Sequence, residues 1–136
     1  MASRGAPFRT HSDTEFILRG YEAWGIEGLL PRLRGMFAFG IWDEGRKAMF
    51  LARDHFGIKP LYYSDDGATI RFASQVKALL AGGAIDRAED PAGHASFLLW
   101  GSVADPFTLY RRIRALPAGS SLWVDAQGIC APRPFF

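Results

Sequence analysis

The hydrophobic period of this chain changes at Gly35. Up to Leu33 the large apolar side chains recur at helical spacing, and from Phe37 to Ala73 they alternate in short runs divided by turn residues. No helix-length segment separates one of these runs from the next, so a βαβ alternation with a parallel sheet is excluded. The pattern predicts an α+β domain whose strands meander into antiparallel sheet.

Before the change, Ser12-x-x-Glu15 reads as a capping box. The Ser12 hydroxyl accepts from the Glu15 amide, the Glu15 side chain reaches back to the Ser12 amide, and Asp13 suits the positive end of the helix dipole. The helix is expected to run to about Trp24 and stop at Gly25. A second, from about Glu27 to Leu33, turns Leu29, Leu30 and Leu33 inward with Pro31 in its first turn. After Gly35, Met36 to Trp42 reads as a strand buried on both faces, Asp43 to Arg46 as a turn, and Ala48 to Arg53 as the returning strand. Pro60–Ser64 and Thr69–Ala73 form the next pair around Asp65-Asp66-Gly67. Ser74 is placed to cap a helix over Gln75–Leu80. Pro91–Trp100 reads as a helix with Ala95, Leu98 and Leu99 on its apolar side. Leu109–Leu116 and Ser121–Asp125 read as closing strands.

Composition narrows the function classes. A length of 136 residues suits one domain, and 49% apolar with 22% charged residues excludes a disordered chain. Eleven Phe, four Tyr and four Trp supply ample material for a core. A net charge of +2 specifies neither a nucleic-acid nor a membrane partner, and no run is apolar and long enough to span a bilayer. The single cysteine, Cys130, excludes an internal disulfide framework, and the first residues carry no apolar leader pattern. A reducing cytoplasm is therefore the expected location.

The local chemistry is sparse. Thr10-His11-Ser12-Asp13 holds the letters of a catalytic triad, but neighbours on a chain splay apart and cannot converge as triad members do. His11, His55 and His94 have no metal-ligand spacing, and no glycine-rich phosphate loop is present. Arg111, Arg112 and Arg114 cluster without a nucleic-acid-binding motif, and Cys130 lacks a neighbour that would activate it. Arg53-Asp54 reads as a structural ion pair at a strand end rather than a catalytic one.

Longer stretches carry a resemblance. Phe8-x-Thr10-x-Ser12-Asp13-Thr14-Glu15, then Leu33-Arg34-Gly35-Met36-Phe37-Ala38-Phe39, are similar to the glutamine-amidotransferase domain of glutamine-hydrolysing asparagine synthetases. The most specific stretch is Leu51-Ala52-Arg53-Asp54-His55-Phe56-Gly57-Ile58-Lys59-Pro60-Leu61-Tyr62-Tyr63. Phe72 to Leu80, Pro106 to Tyr110, Ile113 to Gly119 and Leu122-Trp123-Val124 follow in order. The resemblance covers residues 1–136 as one partial amidotransferase domain, best over 4–125, with no second domain. It implies a partial N-terminal-nucleophile-type αββα sandwich of antiparallel sheets.

In that family an N-terminal cysteine attacks the glutamine side-chain amide through a thioester. Its own α-amino group serves as base, an Asn-Gly pair supplies the oxyanion donors, and the ammonia is used by a separate ATP-dependent synthetase domain. Here position 2 is Ala2, no Asn-Gly-Glu-x-Tyr-Asn segment precedes Thr10, and position 75 is Gln where the family usually has Glu. No catalytic residue is therefore assigned. Of the glutamine-contacting residues only Asp13 is carried over, as the carboxylate that holds the substrate's α-amino group. ATP and magnesium belong to the family's synthetase domain, whose Ser-Gly-Gly-x-Asp-Ser loop is not in this sequence.

The resemblance further implies that Met1 falls in mid-domain, short of the nucleophile-bearing strands. The chain alone is then expected to fold poorly and to be inactive. Glutamine is the expected ligand once the domain is completed. The expected partners are a synthetase domain or an N-terminal complementing chain. Alternatives are a non-catalytic scaffold subunit beside a separate synthetase, and a mis-called start codon within a longer enzyme.

Overall fold

The computed structural model describes residues 8–136. The chain forms two compact units, one of residues up to Gly35 and the other of Met36–Pro134.

The first unit is helical. Helix α1 (Asp13–Leu29) is interrupted at Gly25, whose φ of 64° and ψ of −176° lie outside the helical range. The chain thus forms two helical pieces meeting where the sequence places the stop, at a residue without a Cβ to oppose that backbone. A 3₁₀ turn over Leu30–Arg32 follows, with Pro31 near its start, where a missing amide costs nothing. Ile26, Leu29, Leu30 and Leu33 are buried.

The N-terminal cap differs from the capping box. The Ser12 hydroxyl accepts from the Thr14 amide rather than that of Glu15. The Glu15 carboxylate reaches past Ser12 to accept from the Arg9 amide at 2.9 Å, the Thr10 amide at 2.7 Å and the Thr10 hydroxyl at 2.6 Å. The Thr10 hydroxyl oxygen in turn accepts from the Ser12 amide. A Glu side chain is long enough to satisfy donors a full turn upstream, so it binds the approach to the helix rather than its cap.

The second unit contains two antiparallel sheets. β1 (Ala38–Asp43) and β2 (Ala48–Arg53) form the expected hairpin, and β6 (Ser120–Asp125) lies on the other side of β2. Two short strands, β7 (Gly128–Ile129) and β8 (Arg133–Pro134), share the free edge of β6. The second sheet has the order β4-β3-β5, from β3 (Tyr62–Asp65), β4 (Ile70–Ala73) and β5 (Ile113–Ala115). Leu51, Leu122 and Val124 of the first sheet pack with Tyr63 and Ile70 of the second and with Leu61 and Leu116, which flank β3 and β5, and this makes the two-sheet core. The outer face of the second sheet packs Ile113, Tyr62 and Ala73 against Leu79, Val76 and Leu80 of helix α2 (Val76–Ala81).

Three expectations need correction. β1 is an edge strand, with Gly40 and Trp42 exposed, so it is not buried on both faces; its small residues instead let Leu51 and Phe72 approach. α2 starts after Gln75, which makes no side-chain cap bond, so Ser74 does not cap it.

Helix α3 (Pro91–Trp100) has the expected bounds, with the Asp90 side chain capping it through the Ala92 amide, but its expected apolar side faces outward. Gly93 and Ser96 turn toward the loop that follows. A Cβ at Gly93 would lie 1.9 Å from the Thr108 carbonyl oxygen, and the Ser96 hydroxyl donates to Ser102 O and accepts from the Ala104 amide. The helix sits so close to that loop that only small side chains fit between them, and the large ones turn away.

Candidate functional site

Asp13 opens α1 at an exposed position. Its Oδ1 accepts from the Thr14 amide at 2.8 Å, which fixes the carboxylate at the helix start, and Oδ2 accepts no hydrogen bond from the described residues. Immediately upstream, the Glu15 clamp on Arg9 and Thr10 sets the path of the chain leading into Asp13. The Thr10 hydroxyl, ahead of the Arg9 amide, holds the Glu15 carboxyl below its ordinary value, so the clamp keeps its charge at neutral pH. The result is an exposed carboxylate with one oxygen available to a cationic amine. His11 is exposed beside it, and the described residues assemble no triad there.

In the second unit, Arg53 and Asp54 end β2, and the expected ion pair between them does not form. Each serves its own set of partners. The Asp54 carboxylate is buried and caged by four backbone amides. Oδ1 accepts from Phe56 at 3.1 Å and Ile58 at 3.0 Å, and Oδ2 accepts from Lys59 at 2.9 Å and Phe37 at 3.3 Å. Burial opposes the charge, but the four amides together outweigh it and hold the carboxyl below its ordinary value.

Arg53 points its donors the other way. Nε donates to Lys59 O at 2.9 Å, Nη2 to Gly57 O at 2.7 Å, and Nη1 to both Leu116 O at 2.6 Å and Asp105 Oδ2 at 2.7 Å. The two side chains together fold residues 54–60 onto the end of β2 and tie them to the segment entering β6. Their role is structural, as the sequence predicts. The partner that sequence reasoning missed is Asp105, 52 positions away in a loop with no patterning to mark it.

A cleft of about 190 Å³ lies between Tyr62, Val76, Val103, Phe107 and Leu109. Of its polar neighbours, Asp105 accepts from Arg53 through Oδ2, and the Thr108 hydroxyl donates to Ile113 O and accepts from the Tyr110 amide.

Comparison with known proteins decides the family. The family model described as a glutamine amidotransferase domain matches residues 1–136. The chain belongs to the glutamine amidotransferase domain family. It is 34% identical over 130 residues to asparagine synthetase [glutamine-hydrolyzing] 3 of Bacillus subtilis, covering 95% of this chain and 21% of that protein. A putative asparagine synthetase [glutamine-hydrolyzing] of Mycobacterium tuberculosis is 42% identical over 120 residues, covering 85% of this chain and 18% of that protein. The chain thus spans about a fifth of the length of these curated relatives.

The glutamine phosphoribosylpyrophosphate amidotransferase of B. subtilis superposes with a TM-score of 0.63 at 24% identity, over 98% of this chain and 24% of that one. That likeness shows the fold, and the α+β, N-terminal-nucleophile-type arrangement of antiparallel sheets expected from the sequence is the one observed. The chain is thus similar to an amidotransferase-type stretch about a fifth as long as these asparagine synthetases. No helix among the described residues is long and apolar enough to cross a membrane.

Proposed function

We propose that this chain supplies the part of a glutamine amidotransferase domain that grips the α-amino group of glutamine, in an enzyme whose released ammonia feeds asparagine synthesis. The observation that carries the reading is Asp13: an exposed carboxylate, fixed by Thr14 and with Oδ2 open, in the Ser-Asp-Thr-Glu stretch of a chain matched throughout by the amidotransferase family. An ammonium group against Oδ2 forms a charge-assisted hydrogen bond, which selects an amino acid over a simple amide.

These residues bind and do not cleave. The family's cysteine needs a free α-amino group as its base, and Cys130, the one cysteine of the sequence, has its nitrogen in a peptide bond, donating to Trp123 O at 2.9 Å. A completing segment brings the nucleophile, and a synthetase region consumes the ammonia.

The test is amide NMR of the 136-residue chain. L-Glutamine is expected to shift the Asp13 and Thr14 resonances. 4-Carbamoylbutanoate, the same molecule without the α-amino group, leaves them in place, and Asp13→Asn abolishes the glutamine shift. Equal shifts from both ligands, or a full glutamine response in the Asn variant, would remove Asp13 from the substrate site.

A further inference from the structure

An aspartate at the start of a helix sits among backbone amides that lack a partner inside the helix, and its carboxylate competes for them. Asp13 takes only the Thr14 amide, through Oδ1. Three amides of the chain leading into it are diverted elsewhere. Those of Arg9 and Thr10 donate to the Glu15 carboxylate, and that of Ser12 donates to the Thr10 hydroxyl oxygen at 3.2 Å.

Two arrangements compete for these donors. In a capping box the Glu15 side chain accepts from the Ser12 amide and leaves Arg9 and Thr10 unheld. Thr10 decides against it. Its hydroxyl donates to Glu15 Oε2 at 2.6 Å while its oxygen takes the Ser12 amide, so the donors offered to Glu15 lie upstream of the cap. Phe8 stacks on Phe16, with ring centroids 6.3 Å apart, and holds the incoming chain along the same first turn. The Glu15 side chain is 15% exposed, and Arg19 Nε lies 3.7 Å from its Oε1, which favours the ionised acceptor.

We propose that Thr10 and Glu15 are positioning residues for recognition of the glutamine α-amino group. By holding residues 9–12 out of the capping box they keep those amides off Asp13, so that Oδ2 meets an ammonium group unpaired. Neither touches the substrate; both act through Asp13. This inference rests on the amidotransferase reading of Asp13 given above. It adds that the preference for an amino acid over a simple amide depends on the Thr10 hydroxyl as well as on the carboxylate.

The experiment titrates the 136-residue chain with L-glutamine and reads the dissociation constant from the Thr14 amide resonance. Four proteins are compared: the unaltered chain, Thr10→Val, Thr10→Ser and Glu15→Gln. Thr10→Val keeps the shape but has no hydroxyl, so the Ser12 amide is released and Glu15 returns to it. In Glu15→Gln one oxygen becomes an NH₂, which meets the amide of Arg9 or Thr10 donor to donor in either orientation. Thr10 is exposed and lies outside α1, so the variants are expected to keep the far-UV circular dichroism of the parent.

The expected result is glutamine binding about tenfold weaker in Thr10→Val and Glu15→Gln, the worth of one charge-assisted hydrogen bond. Thr10→Ser restores it to within about twofold of the parent, because the hydroxyl is back. The Ser12 amide resonance moves in Thr10→Val and returns in Thr10→Ser.

A folded Thr10→Val chain that binds glutamine as tightly as the parent overturns the positioning role while leaving Asp13 in the site. A Thr10→Ser chain as weak as Thr10→Val overturns it too, since the hydroxyl is then not the operative group. Should Thr10→Val lose α1, Glu15→Gln decides by the same criterion. Failure of the amidotransferase reading looks different: the unaltered chain gives no glutamine-dependent shift, or one that Asp13→Asn reproduces, and the proposal falls with it.

Discussion

Replacing Asp54 by Ala is expected to destabilise the chain by about 4 kcal/mol, a large share of the stability of a domain this size. The substitution strands the Phe37, Phe56, Ile58 and Lys59 amides around a site too enclosed for easy hydration. Asp54→Asn separates the two oxygens. Its remaining carbonyl can serve one pair of amides, but its NH₂ then faces the other pair, so a loss of about 2–3 kcal/mol is expected.

The sign of the pH dependence follows from the same geometry. Because the folded carboxyl is held below its ordinary value of 3.8, its stabilisation is present above about that pH and is lost as pH falls through the folded value. Urea unfolding followed by near-UV circular dichroism is expected to show the parent losing stability below about pH 4, with a shallower fall in Asp54→Asn. A loss under 1 kcal/mol for Asp54→Ala at neutral pH would mean that the amide cage is not what holds residues 54–60.

Arg53→Ala is expected to cost about 3–5 kcal/mol, because a nearly buried cation leaves three carbonyls and a carboxylate without their donor. The informative variant is Arg53→Lys. It keeps the charge but gathers its donors on one atom, so it cannot reach Lys59, Gly57 and Leu116 carbonyls that lie in different directions around the guanidinium. A loss of about 2–3 kcal/mol is expected for Lys, against under about 1 kcal/mol for Asp105→Asn, whose side chain is 40% exposed. If Lys matched Arg in stability, the charge rather than the fork would be the operative feature.

These two residues also show what could be read along the chain. Their structural role was legible from their place at the end of an apolar strand before a glycine-containing reversal. The far partners of Arg53 were not, because Leu116 and Asp105 lie 63 and 52 positions away and tertiary folding alone brings them in. The β1–β2 hairpin and the Gly25 stop were legible because each is dictated locally, by alternation and by backbone conformation.

The orientation of α3 was illegible for a different reason. Periodicity named Ala95, Leu98 and Leu99 as its inner side, whereas the deciding contact is the approach of Gly93 to Thr108 O, which turns that side outward. At the candidate site, the Ser-Asp-Thr-Glu stretch pointed to Asp13. The same stretch misled on the cap, because Glu15 had a choice of donors and took those of Arg9 and Thr10 over that of Ser12.

The central claim, that Asp13 holds the amino group of glutamine for an asparagine-forming enzyme, is tested most directly in a completed polypeptide. Residues 4–136 of this chain would replace the matching region of asparagine synthetase 3 of B. subtilis, and asparagine formation would be measured with glutamine and, separately, with ammonia. The expected result is that Asp13→Ala raises the KM for glutamine by about 10–100-fold, the worth of one charge-assisted hydrogen bond, and leaves the ammonia-driven reaction unchanged. An Asp13→Ala graft whose KM for glutamine equals that of its parent would contradict the account.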